Sequence, residues 1–385
     1  MMDNQASGEE VVLDEQRVEA IRTAVEAGDS GRVLRLMEPL HAADIADFLE
    51  QIDQRERRAF LAIYAGEIDG DLLSEIDETI REEVIAALPA EVVAEAVRDL
   101  ETDDVVDILE DLEAPAQGRI LEALDLADRV AVEQAMAYPE GSAGRLMQRE
   151  VVVAPLHWTV GEAIDFLRGA SALPDQFYHV ILVDPRMKPQ GYVTLGRILS
   201  ARREVALRDL AEESFRTVQA TEEESDVAYM FNQYHLISCP VVDAGGRLVG
   251  VITIDDAMNV LDEEHESDML LLAGVGEEAS VLDGPFATVR QRLPWLVVNL
   301  FTASISAFVI SRFEDTITAI VALAALMPIV ASTGGVAGTQ SLAVAVRALA
   351  ARDLTASNAR RVVLRELAAG CLLYTSPSPR DRQKS

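Results

Sequence analysis

An uncharged stretch constrains this chain more than anything else in it. Between Asp315 and Arg347 lie 31 residues without Asp, Glu, Lys or Arg, more than the ~20 apolar residues a helix needs to cross a bilayer. The stretch also carries Pro328, Gly334, Gly335, Gly338, Thr339 and Gln340, for which a purely lipid-facing helix has little use. Glycine-rich backbone at membrane depth is tolerated where protein buries it or where it lines a wet cavity. Polar side chains there mark a pathway or a bond between helices. Gly334, Gly335, Gly338, Thr339 and Gln340 are therefore candidates to line a pore. The alternative is a glycine face on which another helix packs.

A first crossing precedes this one. Leu293 to Ser311 is uncharged, Arg290 and Arg292 flank the entry, and Trp295 stands where an interfacial anchor would. The spacing predicts membrane helices at about 293–312 and 316–346. Arg347, Arg352, Arg360, Arg361 and Arg365 follow the second, so the positive-inside rule puts the outer ends of the pair in the cytoplasm. The acidic start has no apolar core and reads as no signal peptide. The expected location is the cell's inner (plasma) membrane, multi-pass, with the N-terminal domains cytoplasmic. A third apolar run opens near Leu364 and stops at Leu373, giving a partial transmembrane domain over 286–373. Residues 374–385, YTSPSPRDRQKS, read as a non-native tail.

The chain of 385 residues has a formal net charge of −33, and nearly all the acid precedes the membrane part. That charge disfavours nucleic acid and anionic lipid surfaces as partners. It favours cations, because clustered carboxylates repel unless something positive lies between them. Cys239 and Cys371 imply no disulfide or zinc scaffold. The five histidines show no ligand spacing, and no nucleophile–base pair suggests an enzyme.

Residues 10–137 have apolar positions at helical spacing throughout. A repeat begins at Leu40, Leu88, Leu100 and Leu112, with apolar residues at its first, ninth, tenth and thirteenth positions. Short helices that cannot bury a face alone must stack, so an all-α superhelix is expected. Asp103, Asp107 and Asp111 recur four residues apart and share one helical face. That face is either solvated or a cation-binding edge turned toward another domain.

After AYPEGSAGRLM the pattern becomes β-α-β-β-α, twice, over 138–202 and 203–256. LISCPVVDAGGRLVGVITIDD resembles the second half of a CBS domain, and QFYHVILVDPRMKPQGYVTLGRIL its counterpart in the first unit. In nucleotide-binding CBS pairs a Thr and an Asp three residues later hold the ribose. The resemblance makes Thr253, with Asp256, the candidate contact for an adenine nucleotide. The first unit has Thr194 and Arg197 instead, and an arginine cannot accept a hydrogen bond. A long acidic connecting helix, 257–285, then joins the pair to the membrane part.

The order of helical domain, CBS pair, acidic connector and membrane helices resembles the MgtE family of magnesium channels. YPEGSAGRLM, GRLVGVITIDD, RLPWLVVNL, GGVAGTQS and RALAARDL carry the likeness. The resemblance implies a homodimer in the bilayer that passes Mg2+ down its electrochemical gradient. Cytosolic Mg2+ would close it by bridging the acidic domains and the connecting (plug) helix. By position it makes Asp256, Glu264 and Asp268 sensor ligands, and Asp103 and Asp107 the helical domain's candidates. Asn259, Ser267 and His235 stand where family members carry acids, which implies fewer or weaker ions. Val336 replaces an Asn common after the paired glycines. The family's pore aspartate belongs to a fifth membrane helix, so the chain is expected to be truncated after its second. The alternative function is a membrane-anchored CBS-domain cation sensor without transport.

Overall fold

The computed structural model describes residues 13–170, 173–174, 177–212, 215–275, 285–350, 354 and 357–375. The chain divides into two compact units, Met1–Leu261 and Asp262–Ser385.

The first unit opens with helices α1 (Glu15–Glu26), α2 (Ser30–Met37), α3 (Ala42–Gln51), α4 (Gln54–Tyr64) and α5 (Gly70–Ser74). It continues with α6 (Glu78–Ala87), α7 (Ala90–Ala96), α8 (Thr102–Glu110), α9 (Ala114–Ala123) and α10 (Leu126–Ala135). The repeat runs further than four copies. Leu40, Ile52, Tyr64, Ile76, Leu88, Leu100, Leu112, Leu124 and Met136 lie twelve residues apart, and all belong to or pack against one core. Most mark a turn between helices, and the next residue is often the N-cap of the following helix: His41, Asp53, Asp77, Glu101 and Asp125. A buried anchor at each turn, followed at His41, Asp53 and Asp77 by a side chain that caps the next helix, lets such short helices persist.

Helix ends leave carbonyls without intrahelical partners. Three side chains fill that need in the same way. Arg57 donates to the carbonyls of Leu49 and Ile52, Arg81 to that of Ile76, and Gln117 to those of Leu109 and Leu112. Each reaches back five residues, two of them also eight.

Two α/β units follow. The first is β1 (Val153–Pro155), α11 (Val160–Gly169), β2 (His179–Val183), β3 (Pro189–Thr194) and α12 (Leu195–Ser200). The second is β4 (Val218–Gln219), α13 (Glu224–Tyr234), β5 (Ser238–Val242), β6 (Leu248–Thr253) and α14 (Ile254–Ala273). In each the first two strands pair parallel and the last two antiparallel, with a register shift at the same place. Ile181, Val183 and Val251 form the apolar seam between the units. Cys239 is a buried strand residue and His235 ends α13 in the left-handed region.

The linker motif YPEGSAGRLM is a packing device. Gly144 donates its N–H to the Ala220 carbonyl, and a side chain there would collide with the Tyr138 ring. Gly250 on β6 lies against the linker, where a Cβ would sit 2.6 Å from the Gln148 carbonyl oxygen. That close approach lets Gln148 and Val251 exchange two backbone hydrogen bonds, each 2.9 Å.

Helix α14 runs across the division between units and ends at Gly274, whose φ is +71°. A Cβ at Gly274 would fall inside the Trp295 indole. The second unit continues with α15 (Pro285–Ser311), α16 (Glu314–Ala319), α17 (Ala322–Ala350) and α18 (Ala359–Thr375). Thr288–Ser311 and Ala322–Leu349 are long and apolar enough to cross a membrane. The second span begins later than 316 because α16 ends at Ala319 and Ile320 leaves the helical region. Thr318, Ile320 and Val321 are β-branched and propagate a helix poorly. Pro294 and Pro328 sit inside α15 and α17, each removing one intrahelical hydrogen bond. The tail beyond Thr375 lies outside the described residues.

Candidate metal centre

The N-terminus of α8 meets the linker and the start of α14. Glu101 occupies the capping position of the twelve-residue repeat, yet its side chain does not cap α8. It accepts a 2.5 Å hydrogen bond from the Gln148 amide instead. The helix end is served by Glu150 from the linker, which accepts from the Thr102 hydroxyl at 2.7 Å and from the Thr102 N–H at 3.4 Å. Gln148 is buried and pinned by its backbone to β6. One residue therefore ties the helical domain to the strand that leads into Thr253 and Asp256.

The tie draws carboxylates together. Asp103 is buried, and its Oδ1 accepts only the neighbouring Asp104 N–H among the described residues. Burial raises its carboxyl well above the usual range, and Asp256 is the charge that adds most. Burial likewise raises Asp256, with Asp255 and Asp104 adding to it, although the Thr253 hydroxyl donates to it at 2.6 Å and works the other way. Glu101 is pushed up to about 7 by burial and then by Glu150, Asp104, Asp256 and Asp255. Asp104 is pushed up to about 6 by burial and then by Asp107, Asp255, Asp71 and Glu75. No cationic side chain is among the groups acting most strongly on these four. Like charges at this density favour a proton or a cation between them.

No three of the His, Cys, Asp or Glu side chains among the described residues are gathered tightly enough to hold a bare metal ion. The arrangement suits an ion that keeps most of its water. Mg2+ is such an ion, since it dehydrates reluctantly and takes only one or two carboxylates.

Comparison with known proteins bears on this geometry. The pattern of the MgtE intracellular N domain matches residues 40–141, that of the CBS domain 143–204 and 207–263, and that of a divalent cation transporter, MgtE, 327–376. The magnesium transporter MgtE of Thermus thermophilus is 30% identical over 366 residues, 94% of this chain and 81% of that one. The chain belongs to the MgtE family. The Bacillus subtilis magnesium transporter MgtE is 26% identical over 86% of this chain and 73% of its own. Among solved structures, the cytosolic domain of the Mg2+ channel MgtE in complex with ATP aligns at TM-score 0.57 and 27% identity, over 63% of this chain and 99% of that one. The family is one of membrane magnesium transporters. The MgtE architecture is the one the sequence led us to expect: helical domain, CBS pair, acidic connecting helix and apolar helices.

The residues singled out from the sequence of this MgtE chain meet different surroundings. Asp103 and Asp256 are brought together. Asp107 is turned to Arg81, 2.8 Å away, as is Asp111 at 2.5 Å. Glu264 and Asp268 lie farther along α14, Glu264 exposed and Asp268 half-buried. Gly334, Gly335, Gly338, Thr339 and Gln340 lie on α17 with exposed surfaces, and no atom comes within 4 Å of where a Cβ would stand on the three glycines. Thr253 is bonded to Asp256, and the neighbouring cleft between the CBS units, lined by Tyr178, His179 and Ser238, holds a cavity of about 20 Å³. In the first unit the Thr194 hydroxyl caps α12, while Arg197 holds Glu212 and the Leu210 carbonyl. Glu101, Asp104, Glu150 and Gln148 were not singled out. Their only sequence signal was Glu101 at the repeat's capping position, where His41, Asp53 and Asp77 in other copies cap their helices.

Proposed function

We propose that this chain is a subunit of a Mg2+ channel that admits the ion down its gradient into the cytoplasm and closes when cytosolic Mg2+ is plentiful. The observation that carries this reading is the packing of Asp103, Asp104 and Glu101 from the helical domain against Asp256 without a counter-cation. Hydrated Mg2+ supplies the positive charge that allows those carboxylates to ionise side by side. Where it is scarce, the two domains repel. Asp256, Glu264 and Asp268 belong to one helix, so closing the domains moves the segment that leads to the membrane. Gly334, Gly335, Gly338, Thr339 and Gln340 line the conduit, which lies between two such subunits in the inner membrane, the N-terminal domains facing the cytoplasm. An adenine nucleotide at Thr253 and Asp256 is the ligand class that the relative's complex with ATP supports.

The test is Mg2+ uptake by liposomes that carry the chain with a complete MgtE membrane domain and are loaded with a Mg2+-sensitive dye. Uptake should proceed down the gradient and stop as Mg2+ accumulates on the side of the cytosolic domains. D103N/D256N should remove the shut-off. Uptake that stops identically in that variant overturns the sensor assignment. No uptake, with Mg2+ still compacting the chain, favours the anchored sensor without transport.

A further inference from the structure

Helix α8 and its C-cap carry five acids: Asp103, Asp104, Asp107, Glu110 and Asp111. They do not share one fate. The Arg81 guanidinium, with its side chain only 7% exposed, places Nη1 between Asp107 Oδ2 at 2.8 Å and Asp111 Oδ2 at 2.5 Å. Its Nε is fixed on the Ile76 carbonyl at 2.9 Å, so the charge cannot swing away without exposing a buried carbonyl. The arrangement is a second copy of one found two repeats earlier. There Arg57, fixed on two carbonyls, holds Glu83 at 2.7 Å. Both partners lie twenty-six residues ahead of their arginine, Glu83 after Arg57 and Asp107 after Arg81. The first-turn acids of α8 have no such arginine.

We propose that Arg81 is a specificity-determining residue: a permanent internal cation that occupies the Asp107–Asp111 end of α8 and so restricts Mg2+ to the Asp103 end. This rests on the Mg2+-sensing role of the α8–α14 junction. Two acids four residues apart on a helix present a pair of carboxylates to one side, enough for a hydrated Mg2+. Filling that place with a guanidinium tethered to the fold keeps the α6–α8 contact closed at every Mg2+ concentration. Only the junction with α14 then responds to the ion.

The experiment counts Mg2+ bound per full-length chain in detergent by titration calorimetry, with circular dichroism as the check on folding. D107N/D111N should leave the count at the wild-type value. Arg81→Gln, which keeps a donor for the Ile76 carbonyl, should raise the count by one, and R81Q/D107N/D111N should restore it. Arg81→Lys, which keeps the charge, should match wild type. A lost ion in D107N/D111N overturns the proposal, as does an unchanged count in folded R81Q. If R81Q does not fold, D107N/D111N alone decides. Failure of the sensor reading itself is distinguishable, because it would appear as no lost ion in D103N/D256N.

Discussion

At the scale of single residues, the junction is a place where the fold tolerates unfavourable electrostatics. Glu101 near 7 and Asp104 near 6 have risen from 4.5 and 3.8, so the folded, metal-free chain binds more protons there than the unfolded one. Stability contributed by these groups is therefore present at low pH and is lost as pH rises from about 4 through 7. Asp53, Asp184 and Asp243, held low by backbone N–H groups, act oppositely, but only as pH falls below the usual aspartate range. Calorimetric melting of the metal-free chain should thus give a lower Tm at pH 7.5 than at pH 5, and D103N/D256N should flatten the slope. A Tm that rises over that interval contradicts the assignment. Asp103 and Asp256 were legible in the sequence, one from helical periodicity and the other from likeness to a family. Glu101, Asp104 and Glu150 were not. Their meaning comes from bonds between positions 47 and 48 residues apart, Glu101 with Gln148 and Thr102 with Glu150, which no local pattern encodes. Asp107 looked equivalent to Asp103 because both lie on the same stripe of α8, and only the arginine arriving from α6 separates them.

At the scale of elements, periodic features were readable and interruptions were not. The superhelix followed from a recurring apolar position, and the paired β-α-β-β-α units followed from two matching runs ending in the hairpin before Thr253. The break at Ile320 left no comparable mark, since the stretch around it is as apolar as a continuous span. The buried arginines explain how helices of ten residues hold their order. Arg57 joins the end of α3 to α4 and, through Glu83, to α6; Arg81 joins α6 to α8. Breaking a buried pair by removing one partner costs about 3–5 kcal/mol. Arg57→Ala should therefore lower the urea midpoint of the full chain by an amount corresponding to about that loss, while Glu19→Ala, which removes an exposed pair with Arg22, should change it by under about 1 kcal/mol. Equal effects would show that the arginine ladder does not hold the superhelix together.

At the scale of the whole molecule, the net charge of −33 comes from the domains and connector that precede the apolar helices, since the remainder of the chain is net basic, while α15 and α17 supply the membrane-length spans. In the proposed mechanism, Mg2+ closes the α8–α14 junction by neutralising carboxylates that the fold leaves without a cation. Hydrogen exchange on the full-length chain, with and without millimolar Mg2+, reads that junction directly. The account predicts that the first turns of α8 and α14, around Asp103 and Asp256, gain protection together when Mg2+ is added, and that D103N/D256N loses the gain. Unchanged exchange at both turns, or the same gain in the variant, would contradict it.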